Sequence, residues 1–280
     1  MTPPVVFEKI GHNRFTIPQI QRELFIRAPK VTTVVRFLGP SKFSSLAYET
    51  KVYSMLEQIK MGLNSIQEKV GISTGVSGIG LDSMLSKCFF GSFSTTGVVS
   101  WMMMKIMLEL DDSSKVVFED KDYNTKFENV SKMFGGLNSF PALLVEGNMP
   151  EDGIEIYDPG LKYGELAVKK IRFAPDGTPF SKLDRFAVFG ADWGQAYEMF
   201  RPGLSAVVVL GGGPISEQEA ITAYTLGIPV YCINPDILGE PHRPADPAKN
   251  KPEVLSASVK LVKERGFRPY NVDEIIEEIL

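Results

Sequence analysis

Three consecutive glycines, Gly211, Gly212 and Gly213, precede a serine and two glutamates in the segment of this sequence best suited to ligand chemistry. Glycine lets a ligand approach the backbone closely, and the free N–H groups at the start of a helix attract an anion such as phosphate. Ser216 can cap the following helix, and Glu219 brings a carboxylate close to the ligand of the turn. The segment predicts a site for the phosphate or the ribose of a nucleotide.

A structural role for the same segment is the alternative interpretation. Glycines form tight turns, and Glu217 and Glu219 can simply complement the dipole at the start of a helix. The binding interpretation is favoured because the turn follows a hydrophobic run, residues 205–210, and precedes a strong helix pattern. In parallel α/β proteins, ligands bind where such strands end and helices begin.

The elements that must position this turn follow from the alternation of short β-branched runs with longer amphipathic stretches. Such alternation is typical of repeated βαβ units around a mostly parallel sheet. We therefore predict an α/β protein with a Rossmann-like three-layer fold and an inserted flap. The predicted strands are 31–38, 70–74, 115–118, 141–145, 186–189, 205–210 and 228–233, and the predicted helices include 44–62, one from Leu81, 98–110, 193–200, one from 216 to 227 and one from Val272.

The predicted domain organisation has three parts. Residues 1–30 form an N-terminal arm, residues 31–238 a nucleotide-binding domain, and residues 239–280 a loop and helices that pack on the same domain. Residues 146–182 are rich in Gly, Pro and Asp and contain two strand-like runs, which predicts a hairpin inserted as a flap. Methionine and leucine on all sides of residues 98–110 predict a helix buried in the core or at a subunit contact, an interpretation favoured over a methionine-lined ligand pocket.

Composition narrows the function classes. Hydrophobic residues make up 44% of the sequence and charged residues 23%, as in ordinary globular proteins, and the formal net charge is -4. Because lysines and arginines are spread along the chain, nucleic acid is not expected as a partner. The sequence has no apolar run long enough for a membrane span and no signal-peptide pattern at its N-terminus, so a cytoplasmic protein without a membrane partner is expected.

The few cysteines and histidines predict neither a disulfide nor a histidine metal site. Cys88 and Cys232 lie in apolar contexts and are expected to be buried thiols. His12 and His242 lie in polar or proline-flanked segments. No cofactor is expected, although Mg²⁺ bound by carboxylates together with a phosphate ligand stays open.

Residues 211–219, Gly-Gly-Gly-Pro-Ile-Ser-Glu-Gln-Glu, resemble the signature Pro-Gly-Gly-x-Gly-Thr-x-x-Glu. That signature belongs to the Lonely-Guy type nucleoside-monophosphate phosphoribohydrolases, often called lysine decarboxylase-like, which are members of the SLOG superfamily of Rossmann-like nucleotide binders. Residues 74–81 are similar to the family's second glycine turn and residues 37–41 to its first. The resemblance covers roughly residues 31–90 and 184–235.

The sequence departs from the family pattern at several positions. Gly211 replaces a proline, Ser216 replaces a threonine, and Ile215 stands where the signature has its second glycine. The helix predicted for residues 193–200 lacks the arginine that the family places there, and Arg201 is the nearest residue of that type.

The resemblance implies a nucleotide-binding protein that cleaves the N-glycosidic bond of a nucleoside monophosphate. Glu219 would be the catalytic carboxylate beside the ribose, with Asp192 as a second carboxylate and Arg201 as a phosphate partner. The ligand would be a small-molecule nucleotide or nucleoside phosphate, and the protein a homodimer or higher homo-oligomer. The expected nucleotide- and phosphate-binding residues are Gly39, Ser41, Gly75, Ser77, Gly78, Gly211, Gly212, Gly213 and Ser216.

Two other functions fit the same residues. In a nucleoside deoxyribosyltransferase, Glu219 would be the nucleophile that forms a glycosyl-enzyme intermediate. In a non-catalytic nucleotide sensor, the pocket would serve binding alone. The sequence leaves these alternatives open.

Overall fold

The computed structural model describes residues 31–75, 77, 79–100, 143–146, 154–157, 168–171, 185–189, 204–239 and 242–280. Contacts divide the chain into two compact units. The sheet unit comprises Ala28–Thr74, Ile79–Thr95 and Gly203–Leu280, and the second unit comprises Met1–Arg27, Gly75–Gly78 and Thr96–Pro202. The predicted domain 31–238 therefore contributes to both units, and the predicted arm 1–30 lies outside the described residues.

The strands, in chain order, are β1 Thr33–Leu38, β2 Val70–Thr74, β3 Ser94–Ser100, β4 Leu143–Glu146, β5 Ile154–Tyr157, β6 Val168–Ile171, β7 Arg185–Phe189, β8 Ala206–Val209, β9 Val230–Ile233 and β10 Pro269–Tyr270. The helices are α1 Leu46–Leu63, α2 Gly80–Phe89, α3 Pro214–Thr225, α4 Pro235–Leu238, α5 Ala257–Val259, which continues as a π-helical turn over Lys260–Glu264, and α6 Val272–Ile279.

The sheet unit contains a sheet of parallel strands. Their order is β10-β9-β8-β1-β2, and the beginning of β3 lies beside β2. β1 pairs with β2 on one side and with β8 on the other, both in parallel register. The predicted α/β class and the mostly parallel sheet are confirmed. The runs predicted at 31–38, 70–74, 205–210 and 228–233 all form strands of this sheet.

Helices cover both faces of this sheet because the strand side chains alternate in direction. On one face, Val35 and Phe37 of β1 belong to a core shared with α1, α2 and α6. On the other face, Val207 and Val209 of β8 belong to a core shared with α3 and α5. A side-chain-to-backbone capping box at Asn271 and Glu274 begins α6 at Val272, the residue from which the sequence predicts this helix.

The second unit contains an antiparallel hairpin and a small set of further strands. Residues of β3 pair in parallel with β7, and β7 pairs antiparallel with β4. Among the described strands, β5 and β6 pair with each other and with no third strand, which confirms the hairpin predicted within residues 146–182. Its placement as a flap over the site stays a prediction.

The helix predicted at 98–110 is wrong at its start. Residues 98–100 continue the strand β3, which begins at Ser94. The β-branched residues Thr95, Thr96, Val98 and Val99 favour a strand, and the prediction gave more weight to the methionines that follow them. Residues 101–110 lie outside the described residues, as do the strand predicted at 115–118 and the helix predicted at 193–200.

Both cysteines are buried free thiols, as predicted. Burial raises the pKa of Cys88 to about 12, with a further contribution from its hydrogen bond with Glu57. Burial alone raises the pKa of Cys232 to about 12. In the part of the chain that the structure describes, no helix is long and apolar enough to cross a membrane.

We expect neither thiol to react with an aromatic disulfide reagent at pH 8 while the protein is folded, because the thiolate is the reactive form. In denaturant, both should react at the rate of an ordinary cysteine. Absorbance measured with and without denaturant gives the number of accessible thiols. Rapid reaction of the folded protein would contradict the burial described above.

Candidate functional site

The direction in which the chain adds strands reverses between β1 and β8. From β1 the chain proceeds to β2 and β3 on one side, and from β8 it proceeds to β9 and β10 on the other. The helix that follows β1 packs on one face of the sheet and the helix that follows β8 packs on the opposite face. The two connections therefore separate at the carboxyl ends of these strands, which is the position where open α/β sheets form a ligand-binding crevice.

The three glycines lie at this crevice, directly after β8. Gly211 and Gly212 have φ angles of +96° and +92°, which favour glycine. A Cβ on Gly211 would overlap the Tyr48 hydroxyl, and one on Gly212 would overlap Ser216 Oγ. Gly213 has an ordinary φ of -107°, but a Cβ there would lie 2.6 Å from Nε2 of His242. The first two positions thus require glycine by conformation and by space, and the third by space.

Residues of α5 hold the turn from the C-terminal side. The Gly211 N–H donates to Ser258 Oγ at 2.8 Å, and Ser258 Oγ donates to the Val209 carbonyl at 3.3 Å. The Ala257 N–H donates to the Gly212 carbonyl at 2.9 Å. One of the three glycine N–H groups is therefore already used within the protein.

The remaining donors lie at the start of α3. Gly213 is the N-cap of this helix, with no side-chain cap, and Pro214 at the first helical position has no N–H. Within the described residues, no group accepts a hydrogen bond from the N–H of Gly212 or Gly213. The first-turn N–H groups of Ile215 and Ser216 have no partner inside the helix either. Four N–H donors and the positive end of a helix dipole are thus gathered at one place.

Ser216 does not cap the helix, and that prediction is wrong. Proline fits the first helical position, so α3 begins at Pro214 and Ser216 is its third residue. Its buried hydroxyl donates instead to the Gly39 carbonyl at 3.2 Å. This hydrogen bond joins the turn after β8 to the turn after β1.

The start of α2 also packs closely against the loop after β1. The Leu81 N–H donates to the Pro40 carbonyl at 2.9 Å. Gly80 has a φ of +55°, and a Cβ there would overlap the Pro40 carbonyl. A Cβ on Gly39 would lie 2.5 Å from Leu81 Cδ2. The predicted site residues Gly39, Ser41, Gly211, Gly212, Gly213 and Ser216 therefore come together at neighbouring strand ends, with the Ser41 residue exposed.

The two glutamates of α3 have different surroundings. Glu217 forms ion pairs with Lys260 Nζ at 3.1 Å and Arg265 Nη2 at 3.4 Å, so it ties α3 to the C-terminal segment. Glu219 is half-buried in the second turn of α3, three residues after Ser216, and residues three apart lie on one side of a helix.

The structure describes only part of the remaining predicted site. Asp192, Arg201 and Gly78 lie outside the described residues. Gly75 directly follows β2, and Ser77 is buried at 9% exposure; both belong to the second unit. The structure describes no group of three or more His, Cys, Asp or Glu side chains, among the residues it covers, that could hold a metal ion.

Sequence reasoning missed three residues of this region. His242 was set aside because prolines flank it, yet its ring lies against Gly213. Ser258 gave only the weak signal of a serine near a helix start. Asp82, in the first turn of α2, accepts a hydrogen bond from Thr74 Oγ1 at 2.9 Å, which places a carboxylate at the end of β2.

Comparison with known proteins gives a limited result. No family model matches the sequence, and no curated protein matches it. Among solved structures, the chain is similar to DNA processing protein A from Helicobacter pylori, a structure described for its single-stranded DNA binding mode. The sequences are 8% identical, the match covers 90% of this chain and 81% of the other, and the TM-score is 0.43.

The prediction that nucleic acid is not a partner does not stand. The prediction rested on net charge and on the spread of basic residues along the sequence. The charge summed over a chain does not fix the potential at one crevice, where helix termini and backbone N–H groups contribute separately. A similarity at this identity and TM-score assigns no ligand to the present chain.

We expect Gly212→Ala to destabilise the protein more than Gly227→Ala. Both positions have positive φ, which costs an alanine about 1–2 kcal/mol, but a Cβ on Gly227 meets no atom within 4 Å. At Gly212 the Cβ would also collide with Ser216, which adds about 1–3 kcal/mol of overpacking. Denaturant unfolding of the two variants measures the difference, and equal losses would show that the turn is not crowded.

Proposed function

We propose that this protein is a nucleotide-binding protein of the SLOG type, which holds the phosphate of a nucleotide at the turn Gly211–Gly213. The observation that carries the proposal is the coincidence of this turn with the reversal of strand order between β1 and β8. Either feature alone is common, because glycine turns occur in many loops. Their coincidence brings the backbone donors to the strand ends at which sheets of this topology bind ligands.

The chemistry of the crevice suits a phosphate. N–H groups at the start of α3 supply neutral donors, and the helix dipole adds a positive partial charge. A Cβ at positions 211, 212 or 213 would collide with neighbouring side chains, so the backbone is kept bare on this stretch. Bare backbone lets phosphate oxygens approach the N–H groups to hydrogen-bond distance.

The finer proposal is cleavage of the N-glycosidic bond of a nucleoside monophosphate. It is supported by the motif that ends in Glu219 and by the place of that residue in the second turn of α3, three residues after Ser216. With the phosphate at the helix start, Cα of Glu219 lies about 9 Å further along the helix axis, six residues at 1.5 Å each. This separation suits a group that meets the ribose while the turn holds the phosphate. The carboxylate would stabilise positive charge as the bond to the base breaks.

Ile215 offers a test of phosphate binding that preserves the fold. This residue is 51% exposed in the first turn of α3. Ile215→Glu places a negative charge where the helix dipole favours it, so stability should be unchanged or higher. The same charge should repel a bound phosphate and weaken binding of a nucleoside 5′-monophosphate at least tenfold, about 1.4 kcal/mol. Calorimetric titration measures the affinity.

Ile215→Gln is the matched control, because it has the same size without the charge and should bind within about twofold of the wild type. Two further arms use the unphosphorylated nucleoside and a short single-stranded DNA oligonucleotide. Binding of the oligonucleotide but not of the monophosphate would show that the nucleotide unit is recognised within nucleic acid. A wild-type protein that binds neither would overturn the proposal.

Glu219→Gln tests catalysis separately from binding. The substitution removes the charge and keeps the size, so affinity for the monophosphate should stay within a few fold while release of free base is lost. Glu217→Gln is the control, since it breaks ion pairs with Lys260 and Arg265 and should lower stability but not base release. Chromatography of the released base is the measurement.

The outcomes distinguish the three activities. Base release by the wild type in the absence of a second base supports the hydrolase. Release that requires a second base points to a transferase with a glycosyl–Glu219 intermediate. Tight binding without release under either condition identifies a sensor and contradicts the hydrolase proposal.

A further inference from the structure

The imidazole of His242 lies directly against the backbone of the glycine turn. A Cβ built on Gly213 would be 2.6 Å from Nε2, 2.8 Å from Cε1 and 3.1 Å from Cδ2 of this ring. Gly213 has no positive φ, so the ring itself accounts for the glycine at this position. The ring thus occupies space beside the N-cap of α3, where the phosphate is proposed to bind.

A hairpin fixes the ring in this place. Arg243 pairs with Val254 through two backbone hydrogen bonds of 3.1 and 2.8 Å, and Asp246 pairs with Lys251. Three residues after Val254, the Ala257 N–H donates to the Gly212 carbonyl. Both ends of the hairpin are therefore attached to the glycine turn, one by the imidazole and one by a hydrogen bond.

Any flat side chain could pack against Gly213 in this way, but the side chain present is a polar ring. Its Nδ1 is buried and has no hydrogen-bond partner among the described residues, whereas the ring nitrogen closest to the turn is Nε2. A buried nitrogen without a partner costs about 1–3 kcal/mol. Burial, followed by the positive charge of Arg243, lowers the pKa of His242, so the free protein carries a neutral imidazole at pH 7. A neutral imidazole retains one N–H donor and one acceptor nitrogen.

We propose that His242 is a phosphate-contacting residue of the nucleotide site, which donates a hydrogen bond to the phosphate held at the start of α3. This inference rests on the proposed function, because it places the phosphate at the glycine turn. It adds a side chain 23 residues beyond Glu219, the last residue of the motif, and it makes the hairpin 242–256 one wall of the site.

The chain contains only two histidines, His12 and His242, which makes the test direct. In protein labelled at the histidine ring carbons, the signal that disappears in His242→Phe identifies His242. We expect a nucleoside 5′-monophosphate to shift this signal saturably, with the dissociation constant measured by calorimetry. The phosphate charge favours the protonated ring, so the pKa of His242 should rise in the complex.

The unphosphorylated nucleoside should leave the pKa of His242 unchanged, and inorganic phosphate should raise it at higher concentration. A nucleotide that binds by calorimetry without moving the His242 signal or its pKa would overturn this inference and leave the proposed function intact. Absence of any nucleotide binding would remove both.

A double substitution separates the packing role of the ring from its role in binding. Gly213→Ala alone should lower the melting temperature, because its Cβ would collide with the imidazole. Gly213→Ala combined with His242→Ala should recover most of that loss. His242→Phe keeps a flat ring on Gly213 and removes the nitrogens, so it should melt near the wild-type temperature and bind the monophosphate at least tenfold more weakly. Wild-type affinity in His242→Phe would show that the ring only packs.

Discussion

The parallel pairing of β1 with β8 is the constraint on which the site depends. It joins strands that lie far apart in the chain, as the hydrogen bond from the Val34 N–H to Ser205 Oγ across 171 residues illustrates. Closing so long a loop has an entropic cost that grows only slowly with length, so the buried strand contacts can offset it. Once the two strands are neighbours, their following turns must lie side by side, and their helices must leave on opposite faces. The crevice is a product of that topology.

Within the crevice, shape is set by positions without side chains. Tyr48, Ser216 and His242 each occupy the space that a Cβ of one of the three glycines would fill. These neighbours come from α1, α3 and the C-terminal hairpin, so three separate segments meet at one turn. The backbone is bare because the surroundings leave room for nothing else, and the same close packing keeps its N–H groups in place.

Local sequence features predicted most of the sheet unit. Buried parallel strands are continuous β-branched runs, which is why β1, β2, β8 and β9 were found near their observed limits. The capping box of α6 and the glycine turn are also local patterns. Strand order, the donation from Ser216 to Gly39 and the placement of His242 depend on contacts between distant segments, and no single stretch of sequence encodes them. The start of β3 was misread because methionines further along outweighed its β-branched residues.

The attachment of the glycine turn to α5 has a consequence for the order in which the protein is made. Ser258, which accepts the Gly211 N–H, lies 47 positions later in the chain. A ribosome that has synthesised the chain as far as Gly239 has already produced β1, β8, β9 and the turn itself. It has not yet produced His242, Ala257 or Ser258. The strands β1, β8 and β9 are therefore synthesised before the residues that complete the geometry of the turn.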